Sequence, residues 1–173
     1  MAGHDSHWLP RLVRHRLLDE RDARARLGAD ALQRIEQRVA TSERQHDGEI
    51  RVCVEAGLPW SYIRRGASAR ERAVQMFGKL RVWDTERNNG VLVYLLLAEH
   101  AIEIVADRGL AAKVEPGVWQ TMAADMREAF RRGDFEAGLV QAVDAVGALL
   151  LAHFPAEPGA RNVNELPDTP VFR

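Results

Sequence analysis

The sequence predicts a three-layer α/β/α sandwich around a small mixed β-sheet, a parallel βαβ unit extended by an antiparallel hairpin. Three observations carry this. An alternating segment at 49–56 and an all-apolar segment at 91–98 are separated by a helical pattern over 67–80. A further strand pattern follows after only Glu99-His100. Two long apolar stripes at helical spacing then close the chain.

Taken in order, residues 11–26 (RLVRHRLLDERDARAR) place Leu12, Val13, Leu17 and Leu18 as a short amphipathic helix. Asp19, Glu20 and Asp22 dilute its basic character, so a helix resting on its own domain is favoured over a membrane-surface one. From Leu27 a second helix carries Leu32, Ile35 and Val39 on one face, and Asp47-Gly48 stops it. Glu49 to Ala56 sets Ile50, Val52 and Val54 against Glu49, Arg51, Cys53 and Glu55, the pattern of a half-buried strand. Residues 57–66 read as a loop. Ala69, Ala73, Val74, Phe77 and Leu80 form the face of the crossover helix. Val91 to Ala98 is apolar throughout, as expected of a strand covered on both sides. The Glu99-His100 turn makes Ala101 to Ala106 antiparallel to it. Val118, Trp119, Met122, Met126 and Phe130 stripe one closing helix, and Phe135, Leu139, Val143, Val146 and Leu150 the other. Gly133 ends the former and Asp134 caps the latter. The expected organisation is an N-terminal extension at 1–26, an α/β domain at 27–154, and a flexible tail at 155–173 that holds four of the seven prolines.

Composition narrows the function classes. With 24 basic and 25 acidic residues the net charge is −1, so no global field argues for nucleic acid. Arg64, Arg65, Arg70, Arg72, Lys79, Arg81 and Arg87 do collect near Trp60, Tyr62 and Trp83, but interspersed acids make a solvated face the better reading. One cysteine, Cys53, excludes an internal disulfide framework, and its strand position marks a packing residue. The uninterrupted apolar run at 91–98 is about half the ~18 residues of a membrane span, and no secretory pattern opens the chain, so no transmembrane segment and a cytoplasmic location are expected. Should Met1 be removed, Ala2-Gly3-His4 offers nitrogen ligands for square-planar Cu(II) or Ni(II), chemistry open to any such peptide.

Topology suggests one candidate site. Parallel first and second strands put Asp47-Gly48-Glu49 and Asn88-Asn89-Gly90 at the same sheet edge, and the returning third strand ends there with Asp107-Arg108-Gly109. Oxygens from Asp84, Asn88, Asn89 and Asp107 are the candidate ligands of a hard cation such as Ca²⁺. Arg87 and Arg108 are the candidate phosphate binders. The competing reading is that these are turn residues bonding their own backbone beside glycine.

Four segments in this order resemble the TPM domain family. They are Ser42-Glu43 with Gly48-Glu49-Ile50, the run Leu80-Arg-Val-Trp-Asp-Thr-Glu-Arg-Asn-Asn-Gly-Val-Leu92, Ile102-Glu-Ile-Val-Ala-Asp-Arg-Gly-Leu110, and Phe130-Arg-Arg-Gly-Asp-Phe-Glu136. The resemblance covers roughly 28–154. It implies an α/β/α sandwich, with Asn88-Asn89-Gly90 as the signature loop and Gly133-Asp134-Phe135 as the Gly-Asp-aromatic turn. It further implies a calcium-binding acid phosphatase activity in some plant members, and a soluble bacterial branch acting beside LemA-like membrane proteins. The chain departs from the family's Gly-Tyr-Gly-Leu-Glu-Gly loop, carrying Ala106-Asp107-Arg108-Gly109-Leu110-Ala111-Ala112 instead. Two functions are therefore expected: a non-catalytic protein-binding adaptor, favoured because no nucleophile–base pair is legible, or a metal-assisted (Ca²⁺ or Mg²⁺) phosphatase.

Overall fold

Residues 8–157 and 164–173 are described by the structure, a computed structural model. Their order is α1 (Trp8–Arg16), α2 (Glu20–Leu27), α3 (Ala29–Glu43), β1 (Ile50–Glu55), α4 (Trp60–Arg64), α5 (Ala69–Lys79), β2 (Val91–Leu96), a 3₁₀ turn at Leu97–Glu99, β3 (Ala101–Ala106), α6 (Arg108–Ala111), α7 (Pro116–Arg131), α8 (Phe135–His153) and β4 (Val171–Phe172). The Ala2-Gly3-His4 chelate motif lies outside the described residues.

The sheet runs β3-β2-β1-β4. β1 pairs in parallel with β2, from Ile50 opposite Val91 to Glu55 opposite Leu96. β2 and β3 form the antiparallel hairpin, with Val91 opposite Ala106 and Leu96 opposite Ala101. Alternate β2 residues face opposite layers. Val91, Val93 and Leu95 join a core with Ile35, Val39, Phe130 and α8. Leu92, Tyr94 and Leu96 join another with Ile63, Ala73 and Met76. Burial on both sides explains why this strand needs an apolar residue at every position.

Local chemistry fixes the helix ends. Asp19 opens α2 through a capping box with Asp22, and Ser68 does the same for α5 with Glu71. Gly133, at φ 77°, lets the chain leave α7 in a left-handed conformation, and the Asp134 side chain accepts from Ala137 N at 3.2 Å to start α8. The hairpin turn is longer than expected: β2 stops at Leu96, and His100 takes the left-handed position at φ 49°.

Three expectations are corrected. The described part of the N-terminal extension rests on its own domain as expected, but as two helices in place of one, divided ahead of the Asp19 cap of α2. Ala23 and Leu27 of α2 enter the core. His15 of α1 is buried, accepts from Leu58 N at 2.9 Å through Nδ1, and donates from Nε2 to Glu99 at 2.9 Å. The 57–66 loop contains the short helix α4 against which α1 packs. Finally, the C-terminal residues 164–173 are a docked strap instead of a flexible tail. β4 adds in parallel to β1, with Cys53 opposite Val171, and Leu166 and Phe172 are buried.

The strap also explains why β1 is buried at all six positions where a half-buried strand was expected. Arg51 donates to the carbonyls of Pro167 and, at 2.9 Å, Thr169. On the same face Glu55 meets Arg72 of α5. Sequence alternation marks which residues face the apolar layer, but polar partners from distant segments cover the other face.

By length and composition α8 is apolar enough to cross a membrane. Its apolar run is interrupted by Glu136 and Asp144, so no uninterrupted stretch of the sequence marks it. In this fold it is the central helix of its layer, with eight buried residues from Phe135 to Leu150.

Candidate functional site

The loops that enter β1 and β2 and the loop that leaves β3 meet at one sheet edge. Asp107 N donates to Gly90 O at 2.8 Å, and Gly109 N donates to Asn88 O at 2.8 Å. Gly109 is required by this close approach: a Cβ there would lie 2.4 Å from Asn88 O and 2.7 Å from Arg87 O. Asn88 itself is left-handed, at φ 52°. Asn89 N is bonded to Thr85 Oγ1 at 3.1 Å, and Asn89 Nδ2 to Asp47 O at 3.0 Å. These bonds join all three loops and hold the double asparagine in a fixed conformation.

Two oxygens are left over. Among the described residues, Asn89 Oδ1 and Asp107 Oδ2 are buried and accept no hydrogen bond from the protein. The Asn89 amide orientation follows from its contact, because turning it over would set Oδ1 against the Asp47 carbonyl, two acceptors face to face. The other Asp107 oxygen, Oδ1, accepts from Arg108 N at 2.7 Å and caps α6. Buried acceptors without protein donors are costly, and an ordered water or a cation satisfies them.

The remaining candidates are distributed around this pair. Asn88 Oδ1 accepts from Arg108 Nε at 3.2 Å. Arg87 pairs with Asp47, and its guanidinium lies 5.5 Å from the centre of the Phe154 ring. Asp84 is not drawn in: it is exposed and pairs with Arg81, three residues back along the chain. Asn88, Asn89, Asp107 and Arg108 thus come together, Arg87 stands beside them on Asp47, and Asp84 stands apart. Among the described residues no group of three His, Cys, Asp or Glu side chains is placed to hold a metal ion, so any cation site here depends on amide oxygens.

The Ser42-Glu43 and Gly48-Glu49-Ile50 motif has a structural task. Glu43 Oε1 accepts from Ile50 N at 2.8 Å, holding the start of β1. Burial, reinforced by the nearby charges of Glu49 and Asp168, pushes its carboxyl up to about 9. Glu49 accepts from Glu165 N and Leu166 N at 3.2 and 3.1 Å, anchoring the strap, and burial raises its pKa too.

Two arrangements escape a linear reading. Ser42 Oγ lies 2.9 Å from His46 Nε2, and His46 Nδ1 lies 3.0 Å from Gly48 O. An Nδ1–H aimed at that carbonyl leaves Nε2 to accept the serine proton, and burial lowers the His46 pKa. The spacing of four residues was the available signal. The hydroxyl, however, is wedged against α8: a Cβ on Gly147 would meet it at 2.2 Å, so the pair ties α3 to its closing turn and to α8. The other arrangement is an open cleft of ≈ 650 Å³ along β3, lined by residues of α5, β3 and α7. Cys53 is buried and its thiol is pushed up to about 12 by desolvation, which fits a packing residue.

The fold and this edge define an α/β/α domain with a polar Asn-Asn-Gly rim. Residues 21–149 match the family model described as TPM domain, and the chain belongs to that family. It is similar to the BA42 protein of the psychrophilic bacterium Bizionia argentinensis, at 27% identity and TM-score 0.73, over 84% of this chain and 94% of that one. It also shares its fold with the N-terminal domain of a protein from P. gingivalis, at 20% identity and TM-score 0.59, over 76% and 83% of the two chains. No curated protein matches the chain.

Proposed function

We propose that this TPM domain is a cytoplasmic, non-catalytic protein-binding adaptor whose Asn-Asn-Gly rim is loaded by a hard divalent cation such as Ca²⁺. The observation that supports the reading is the pair of buried oxygens that take no donor from the protein, Asn89 Oδ1 and Asp107 Oδ2, at one edge. Ca²⁺ takes ~6–8 oxygens. Two protein oxygens leave most positions to water and to carboxylate or carbonyl oxygens of a partner, so the ion serves as a bridge. Kinship suggests a partner at a membrane surface, a LemA-like protein among them.

Calorimetric titration with Ca²⁺ and Mg²⁺ tests this. Asp107→Asn keeps the α6 cap and removes the charge. It is expected to weaken Ca²⁺ binding at least about tenfold while the fold is retained, and partner capture should require Ca²⁺. Absence of Ca²⁺ binding, or equal binding by Asp107→Asn, overturns the reading.

The metal-assisted phosphatase is the second reading, favoured by the placement of Arg87 and Arg108 on the two loops that carry the free oxygens. Arg87 must leave Asp47, and Arg108 must leave Asn88, before either holds a phosphate. Hydrolysis of an aryl phosphate that depends on Ca²⁺ or Mg²⁺ and is lost in Asp107→Ala would establish it; its absence leaves the adaptor.

A further inference from the structure

We propose that the free edge of β3 is a docking groove for an extended acidic segment of a partner protein, which adds to the sheet beside β3. The inference deepens the adaptor reading and rests on it for the existence of a partner.

Among the described residues the sheet order leaves β3 with one unpaired side. The bond from Asp107 N to Gly90 O sets the phase of the ladder to β2. Ala101, Glu103 and Val105 therefore turn their backbone groups toward β2, while Ile102, Ile104 and Ala106 turn theirs outward. The outward direction is marked by a contact: Arg70 Nη1 donates to Ile104 O at 2.5 Å. An edge of this kind is a template for another strand unless something guards it.

The groove selects its occupant by shape and charge. The edge is recessed between α5 and α7, which both pack on β3, in the ≈ 650 Å³ cleft. Such a recess admits one extended chain and obstructs a flat sheet. Trp119 and Ile104 supply apolar lining for alternate side chains, and Arg70 and Arg127 lie on opposite helices. Two exposed guanidinium groups face one carboxylate, Glu103, which lies 3.7 Å from Arg70. An incoming carboxylate competes for Arg70, draws it off Ile104 O, and so frees that acceptor for a peptide N–H. Edge-to-edge pairing with a second copy would instead bring the arginines of two copies toward each other, which disfavours that occupant.

The test uses the full chain and a fluorescent eight-residue peptide alternating Val with Glu and Asp, beside a counterpart with Lys at the acidic positions. The acidic peptide is expected to bind at least about tenfold more tightly. Its titration should shift the amide resonances of Ile102, Ile104 and Ala106. Arg70→Glu with Arg127→Glu, both surface changes, should invert the preference. No binding of the acidic peptide, an unchanged preference in the reversed variant, or shifts that map away from β3 overturn the groove. So does a concentration-dependent dimer formed through β3, which would give the edge to a second copy. Ca²⁺-dependent partner capture that survives the double reversal leaves the adaptor reading intact and overturns the groove alone.

Discussion

Removing Arg72 should be among the most damaging single changes to this fold. Its guanidinium grips Glu55, with Nε 2.8 Å from Oε2 and Nη2 2.5 Å from Oε1. Tyr94 donates its hydroxyl to the same carboxylate at 2.5 Å. All three residues are buried between the sheet and α5. Arg72→Met keeps much of the apolar stem but leaves the Glu55 carboxylate with one hydrogen bond inside the protein. Breaking a buried pair from one side costs about 3–5 kcal/mol. At roughly 2–4 °C per kcal/mol for a chain of this size, the melting temperature should fall by about 6–20 °C. Replacing both partners, Glu55→Leu with Arg72→Met, removes the stranded charge and should be less damaging than Arg72→Met alone. Tyr94→Phe loses one bond to a charged acceptor, about 1.5–3 kcal/mol. Urea denaturation of the wild type and these variants, compared at constant m-value, measures all of them. A loss below about 1 kcal/mol for Arg72→Met, or a double variant less stable than Arg72→Met alone, would refute the reasoning.

Three further predictions concern Glu43, the strap and the rim. Glu43, pushed up to about 9 from 4.5, holds its proton in the folded state where the unfolded chain has lost it. Stability should therefore fall as pH rises between those values, by up to about 1.4 kcal/mol per unit; Glu43→Gln should flatten that slope and stabilise the chain at pH 8, measured by urea midpoints across pH. Truncation before residue 164 uncovers Arg51 and Glu49 and removes the buried Phe172, worth about 1.5–3 kcal/mol for the aromatic burial alone, and thermal melts should show at least that loss. Gly109→Ala drives a Cβ onto backbone oxygens that cannot step aside, so it should both destabilise the chain and abolish Ca²⁺ binding, read by melting and calorimetry together.

The sheet and its layers were legible because they rest on short-range rules. An apolar residue at every position of 91–96 has few homes other than a doubly covered strand, and Asp134 caps α8 within three residues of itself; the equally local caps at Asp19 and Ser68 went unread, which is why one helix was expected where α1 and α2 stand. The resemblance to TPM domains rested on motifs that are local in the same way. Residues 164–173 show the limit. Their prolines read as a loose tail, and nothing local in them reports that Glu49 and Arg51 are waiting for their backbone groups.

The rim divides along the same line. That Asn88-Asn89-Gly90 and Asp107 share an edge followed from strand direction alone. Which oxygens stay free did not: Asp84 is taken by Arg81, Asn88 by Arg108 and Asp47 by Arg87, leaving Asn89 and Asp107. Sequence by itself determined where apolar faces and turns fall, since hydrophobic period and backbone preference act over a few residues. Tertiary structure decided who partners whom among the polar groups, because a hydrogen bond or ion pair depends on ångström distances between segments as far apart as Glu49 and Glu165.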